Sequence, residues 1–198
     1  METEKAPGAP IAIMLAGPNG AGKTTTAMSL FRETMRSVEF VNADIIAQGL
    51  AGTHPDSVAL DAAAVMLERL HALAEKKVSF AFETTGASRS FAPWLKNLKS
   101  DGYEFRFFFF WLRNADFAIG RVAERVRLGG HHVPEDRIRS RYEGGLRNFF
   151  NLYLPIATQW QLIDNNGVAR IIATGGEGLD TRIGDAMLWN KLKSRYSK

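Results

Sequence analysis

The sequence predicts an α/β protein with a mainly parallel sheet and helices on both faces. Two observations carry this. Five apolar, β-branched or aromatic runs, at residues 11–16, 38–42, 78–83, 105–112 and 168–174, alternate with helical stretches, the pattern of strands joined by crossovers. The composition is that of a globular chain: 198 residues, 45% apolar and 23% charged. With no internal repeat and no low-complexity linker, residues 11–198 are expected to form one domain after a flexible N-terminal arm at 1–10.

The elements follow in order. After the first strand, residues 23–35 read as a helix. Residues 55–76 form a longer one, in which Val58, Val65, Leu67, Leu70 and Leu73 make an apolar stripe and Asp61 marks a polar face. Helices are also expected at 87–100, 115–128, 134–154 and 156–163, and again over 179–193, where Ile183, Met187, Leu188 and Leu192 share a side. The aromatic run at 107–111 suits a strand buried on both faces. Gly129-Gly130-His131-His132-Val133-Pro134 interrupts the second half: the glycines remove helix propensity and the proline opens the next helix. Two helices joined by a flexible elbow result, which suits a movable lid over about 113–147 and equally a plain turn.

Composition excludes several function classes. Without cysteine there is no disulfide framework, thiolate nucleophile or cysteine zinc site. The longest apolar run, residues 107–112, is far short of the roughly 18 to 20 residues of a membrane helix. The first ten residues carry acids and lack the apolar core of a signal peptide, so no membrane association and a cytoplasmic location are expected. The net charge of +4 is concentrated. Residues 113–147 hold eight of the sixteen arginines, no lysine and five acids. Arginine offers a planar fork for phosphate oxygens, so this clustering points to one localised anionic ligand and away from nucleic acid. For any single arginine, a solvated helix face with glutamate partners is an equal alternative.

The motif that carries chemistry is Gly17-Pro18-Asn19-Gly20-Ala21-Gly22-Lys23-Thr24, which fits G-x-x-x-x-G-K-[ST] between a strand and a helix. Its glycines let backbone N–H groups turn inward around a phosphate, and the helix N-terminus adds partial positive charge. Lys23 is placed for the β- and γ-phosphates and Thr24 for Mg²⁺, and Thr25 continues the nucleotide-binding segment. Asp44, just past the carboxyl end of the second strand, is placed to accept the proton of a hydroxyl nucleophile; the alternative is that it caps a short helix beginning at Ile45. Glu83 closes the third strand, where it would hold a magnesium-bound water or a substrate hydroxyl. Thr84 and Thr85 follow as substrate contacts or as caps of the next helix. Arg121 with Arg125, and Arg137 with Arg141, are each four apart on a helix and share a face, suited to closing on a transferring phosphoryl group. His131 and His132 are substrate contacts or plain polar surface.

These blocks, Gly-Pro-Asn-Gly-Ala-Gly-Lys-Thr-Thr at 17–25, Phe-Val-Asn-Ala-Asp at 40–44, Phe-Glu-Thr-Thr at 82–85, and Arg125-Val126-x-x-Gly129-Gly130-His131-x-Val133-Pro134 with Ile138-x-x-Arg141-Tyr142, resemble the zeta-toxin family of P-loop kinases over roughly residues 11–165. The resemblance implies a three-layer kinase-like fold with a five-stranded mainly parallel sheet and an arginine-rich lid. It further implies ATP and Mg²⁺ as cofactors and the sugar 3′-hydroxyl of UDP-N-acetylglucosamine as acceptor, with a small helical antitoxin as partner. By position, Lys23 would contact the β- and γ-phosphates, Asp44 would be the base, and Glu83 and Thr84 would lie in the substrate pocket. Arg125 and Arg141 would meet the transferring phosphate, with Arg127 and Arg139 as close competitors. The chain lacks the fused antitoxin segment and long extension of better-studied toxins, which leaves another sugar nucleotide, or another small metabolite or nucleotide, open as acceptor. A nucleotide-dependent binding module without transfer chemistry is the alternative of another class.

Overall fold

Seven strands, β1 (Ile11–Ala16), β2 (Glu39–Val41), β3 (Phe80–Thr84), β4 (Glu104–Trp111), β5 (Gln159–Asp164), β6 (Arg170–Gly176) and β7 (Leu179–Ile183), form one sheet in the order β2-β3-β1-β4-β5-β6-β7 in the computed structural model, which describes residues 8–51, 58–130 and 132–198. The first five strands are parallel; β6 adds antiparallel to β5, and β7 antiparallel to β6. The helices are α1 (Lys23–Leu30), α2 (Arg32–Arg36), α3 (Ala43–Ala51), α4 (Ala59–Glu75), α5 (Phe91–Ser100), α6 (Ala115–Arg127), α7 (Glu135–Asn148) and α8 (Ala186–Tyr196).

Register places the core. Ala12 pairs with Phe80 and Phe105, and Met14 with Phe82 and Phe107, while Phe107 pairs with Trp160, so these side chains share one face of the sheet. A continuous aromatic layer results. Phe80 and Phe82 meet Trp94 of α5, Phe107 meets Phe149 and Tyr153 after α7, and Trp160 stacks on Trp189 of α8 at 5.6 Å and 10°. On the opposite face Phe108 packs on Phe31 between α1 and α2, with ring centroids 4.3 Å apart. Helices therefore cover both faces.

The structure departs from the sequence expectation in the third quarter and at the tail. The sheet has seven strands in place of five. Residues 156–163, expected as helix, become a 3₁₀ turn (Leu154–Ile156) and then β5. Ile156, Trp160 and Ile163 fit a helical spacing as well as Trp160 and Leu162 fit a strand, and the open edge of β4 decides for the strand. The tail expected as helix from 179 begins instead as β7. Gly184-Asp185 then breaks it, with the Asp185 side chain accepting from the Leu188 N–H at 2.9 Å as the cap of α8. The helix expected over 23–35 divides at Phe31, and that over 134–154 ends in a π-helical turn at Phe149–Tyr153. The start of the helix expected at 55–76, most of the N-terminal arm and His131 lie outside the described residues. Among the described residues no helix is long and apolar enough to cross a membrane.

Truncating the buried Phe107 ring removes contacts on both its strand neighbours and the turn after α7. Phe107→Ala is expected to cost about 3–5 kcal/mol, read as a lowered midpoint in urea unfolding. The four tyrosines give a pH prediction. Burial raises Tyr103, Tyr142 and Tyr153, and burial with the nearby Glu143 carboxylate pushes Tyr196 up to about 12. Unfolded phenols ionise near pH ~10, so the stability held by the neutral folded phenols is full below that pH and is lost as pH rises through the folded values. Phenolate absorbance should lag behind that of the unfolded chain near pH ~10 and rise together with unfolding; titration of all four like free phenols would contradict the packing.

Candidate active site

The parallel register aligns the carboxyl ends of β1, β2 and β3. Leu15 pairs with Glu83, Ala16 with Thr84, and Val41 with Phe82, so residues 17, 42–44 and 83–85 emerge at one sheet edge. The chain leaves β1 to build β2 on one side and crosses from β3 to β4 on the other. The connections diverge there and leave a crevice. A cleft of about 660 Å³ occupies it, with Asn19, Lys23, Asp44, Glu83, Thr84, Thr85, Arg137 and Arg141 in its lining.

The loop 17–24 is held by backbone geometry. Gly17 has φ +144°, and a Cβ there would stand 2.4 Å from the Phe110 carbonyl oxygen, so only glycine lets the chain turn off β1 beside β4. Gly22, at φ +69°, is the left-handed residue that opens α1. The loop closes on itself through the Ala21 N–H to the Pro18 carbonyl at 3.1 Å. Asn165, just past β5, donates to the Ala21 carbonyl at 2.6 Å and to Thr26 Oγ1 at 2.9 Å, fastening the loop to the sheet. Arg121 of α6 donates to the Asn165 carbonyl at 2.9 Å and reaches the Gly20 carbonyl at 3.5 Å. Pro18, Gly20 and Ala21 thus serve the loop through their backbones, while Thr25 is exposed on α1.

Lys23 is buried. Its ammonium donates to the Gly17 and Pro18 carbonyls at 3.1 and 3.2 Å and stands 3.4 Å from Glu83 Oε1. The other Glu83 oxygen accepts from the Thr24 hydroxyl. One carboxylate of β3 therefore bridges the first two residues of α1. Helix α3 begins at Ala43 and is entered through Asn42, whose Oδ1 accepts from the Asp44 N–H at 2.8 Å. The capping alternative for Asp44 is thereby corrected: Asn42 makes that bond, and the Asp44 carboxylate faces the cleft. Thr84 and Thr85 hydroxyls accept from the Gly86 and Ala87 N–H groups at 3.3 and 3.5 Å, shaping the loop before α5 while lining the cleft.

Helix α7 supplies the opposite wall. Tyr142 donates to the Leu112 carbonyl at 2.8 Å and Ile138 is buried, which fixes the helix rotation. Arg137 and Arg141 then face the cleft, and Arg141 donates to Asn19 Oδ1 at 3.2 Å. Burial lowers the pKa of Arg141, as does Arg137; Asp44 acts the other way. Farther along the same face, the buried Asn148 amide donates to the Gly86, Ala87 and Ser88 carbonyls at 3.0, 2.8 and 3.4 Å, and the Tyr153 hydroxyl to Ser88 at 2.5 Å.

Not every arginine singled out in the sequence reaches the cleft. Arg139 pairs with Asp116 at 2.6 Å and Arg127 with Glu124, both at exposed positions. Arg125 is not among the lining residues; Gly130 packs on its stem, where a Cβ would meet Cγ at 2.6 Å. Of the histidines, His132 lines the cleft. Sequence reasoning missed Asn165, Asn42 and Asn148. Asn165 had a readable signal: Asp-Asn-Asn-Gly at 164–167 is turn chemistry after an apolar run.

A parallel-sheet core with a phosphate loop between β1 and α1 and a helical arm over the crevice is the fold of the P-loop kinases. The chain belongs to the family described as AAA domain, whose profile matches residues 13–143. An uncharacterized protein of Haemophilus influenzae is 26% identical over 131 residues, 66% of this chain and 91% of that protein. Among solved structures, a chain of the AvrRxo1-ORF1:AvrRxo1-ORF2 complex with sulphate ions is similar at TM-score 0.76 and 14% identity, covering 93% of this chain. This chain spans 63% of that one; the same complex with ATP gives 0.75. A chain of the PezAT chromosomal toxin-antitoxin system of Streptococcus pneumoniae is similar at TM-score 0.64 and 19% identity, over 86% of this chain and 74% of that one. In fold, these neighbours agree with the resemblance to zeta-toxin-type kinases.

Removing the Asn165 side chain leaves the Ala21 carbonyl and the Thr26 hydroxyl without their partner. Asn165→Ala is expected to cost about 1–3 kcal/mol in urea unfolding, and an unchanged midpoint would show that the loop does not depend on it.

Proposed function

We propose that this protein is an ATP-dependent phosphotransferase acting on a hydroxyl of a UDP-N-acetyl sugar nucleotide, with the sugar 3′-hydroxyl as acceptor. The observation that carries the proposal is the facing of Asp44 and Arg141 across a cleft floored by Lys23 and Glu83. ATP phosphates would be held by loop N–H groups and the α1 N-terminus, with Lys23 turning from the Gly17 and Pro18 carbonyls to the β- and γ-oxygens. Asp44 would take the acceptor proton as its oxygen attacks the γ-phosphorus in line. Arg141 would offset charge on the equatorial oxygens, an effect worth roughly a thousandfold or more.

The donors beside the loop suit Mg²⁺: the Thr24 hydroxyl and the Glu83 carboxylate are hard oxygen ligands, and phosphate oxygens and water complete such a shell. Bound there, the ion would neutralise charge on the β- and γ-phosphates. Thr84 and Thr85 are taken as acceptor contacts. We take residues 11–198 as one kinase domain working in the cytoplasm. A toxin role with a small helical antitoxin completes the proposal, supported by fold likeness to a chain of a toxin-antitoxin system.

Labelled ATP, Mg²⁺ and a panel of UDP-sugars test the chemistry. Asp44→Asn should lower kcat by about a hundredfold or more while ATP binding persists. Transfer to no UDP-sugar, with ATP bound normally, would sink the acceptor class. Expression in bacteria should arrest growth with the native chain and not with Asp44→Asn; equal growth would remove the toxin role.

A further inference from the structure

Among the described residues, the lining of the cleft holds three fixed cations, Lys23, Arg137 and Arg141, against two carboxylates, Asp44 and Glu83. Two of the cations have their counterparts. Lys23 stands against Glu83 at 3.4 Å, and Arg141 is tied to the phosphate loop through Asn19 and feels Asp44. Arg137 is left over. No carboxylate forms an ion pair with it among the described residues, whereas Arg139, two positions on, is occupied by Asp116. Arg137 also sits one helical turn, roughly 6 Å, from Arg141 toward the elbow, and shares the cleft lining with His132. Arg137 is exposed and Arg141 half-buried; the two like charges repel, and the lowered pKa of Arg141, caused first by burial and then by Arg137, reflects it. A site that keeps this arrangement is matched to a second anion, separate from the phosphates over the loop.

Resting on the kinase proposal above, we propose that Arg137, which lines the cleft with His132, binds an oxyanion of the phosphate acceptor. Arg137 is then a specificity residue, and Arg141 one turn away serves the phosphoryl group. The planar guanidinium fork takes a diphosphate or a carboxylate alike.

The test is steady-state kinetics of the full chain and of Arg137→Gln with UDP-N-acetylglucosamine, glucuronate and neutral N-acetylglucosamine. The arms separate a diphosphate, a carboxylate and no charge. The expected result is a KM for the charged acceptor raised at least about tenfold in Arg137→Gln, with kcat and the KM for ATP within about threefold. A fall in kcat at unchanged acceptor KM would assign Arg137 to the transferring phosphoryl group and overturn the proposal, as would a preference for the neutral sugar. A binding measurement keeps this separate from the kinase reading: UDP is titrated by calorimetry into protein saturated with a non-hydrolysable ATP analogue and Mg²⁺. Loss of UDP affinity by about tenfold or more in Arg137→Gln supports the anion site even if no acceptor is phosphorylated. Equal UDP affinity in both proteins overturns it.

Discussion

One carboxylate holds the site together. Glu83 ends a fully buried stretch of β3 and spans Lys23 and Thr24, the two residues with which α1 begins. A buried ammonium is costly unless paired and hydrogen-bonded, and here the Gly17 and Pro18 carbonyls and Glu83 surround it. The strand, the loop and the helix are thus locked by one electrostatic requirement. The pairing depends in turn on register: Glu83 stands level with Leu15, two residues before the loop starts, so a slip of one residue would turn its side chain to the other face.

The opposite wall rests on a different kind of constraint. Helix α7 is fixed by packing and by one phenol, Tyr142, on the end of β4. Its rotation sorts the arginines. Arg137 and Arg141 go to the cleft and Arg139 to solvent, where Asp116 meets it. The same face ends in Asn148, whose amide gathers the carbonyls of residues 86–88 and so shapes the floor beside Thr84 and Thr85. Helix position and the loop at 84–88 are therefore one mechanical unit, and the π-helical turn that follows brings Tyr153 to the same loop.

Much of this was legible in the chain. The phosphate loop is local: its glycines, lysine and threonine are set by spacing alone, and the preceding apolar run can only be the strand that delivers it. Asp44 and Glu83 were legible as acids at strand ends. The seventh strand and β5 were not, because short apolar runs satisfy helical and strand periods equally and neighbouring edges decide. The arginines of residues 113–147 were legible as a cluster and not as individuals, since helical spacing gives shared faces without saying which face turns inward.

Sequence by itself therefore determined the alternation of strands and helices, the phosphate loop and the acids available to it, all of which rest on nearest-neighbour spacing. Tertiary structure decided which groups meet. Asn165 reaches Ala21 across 144 positions and Arg141 reaches Asn19 across 122, and contacts at such separations come from strand order, register and helix rotation, which no local pattern encodes.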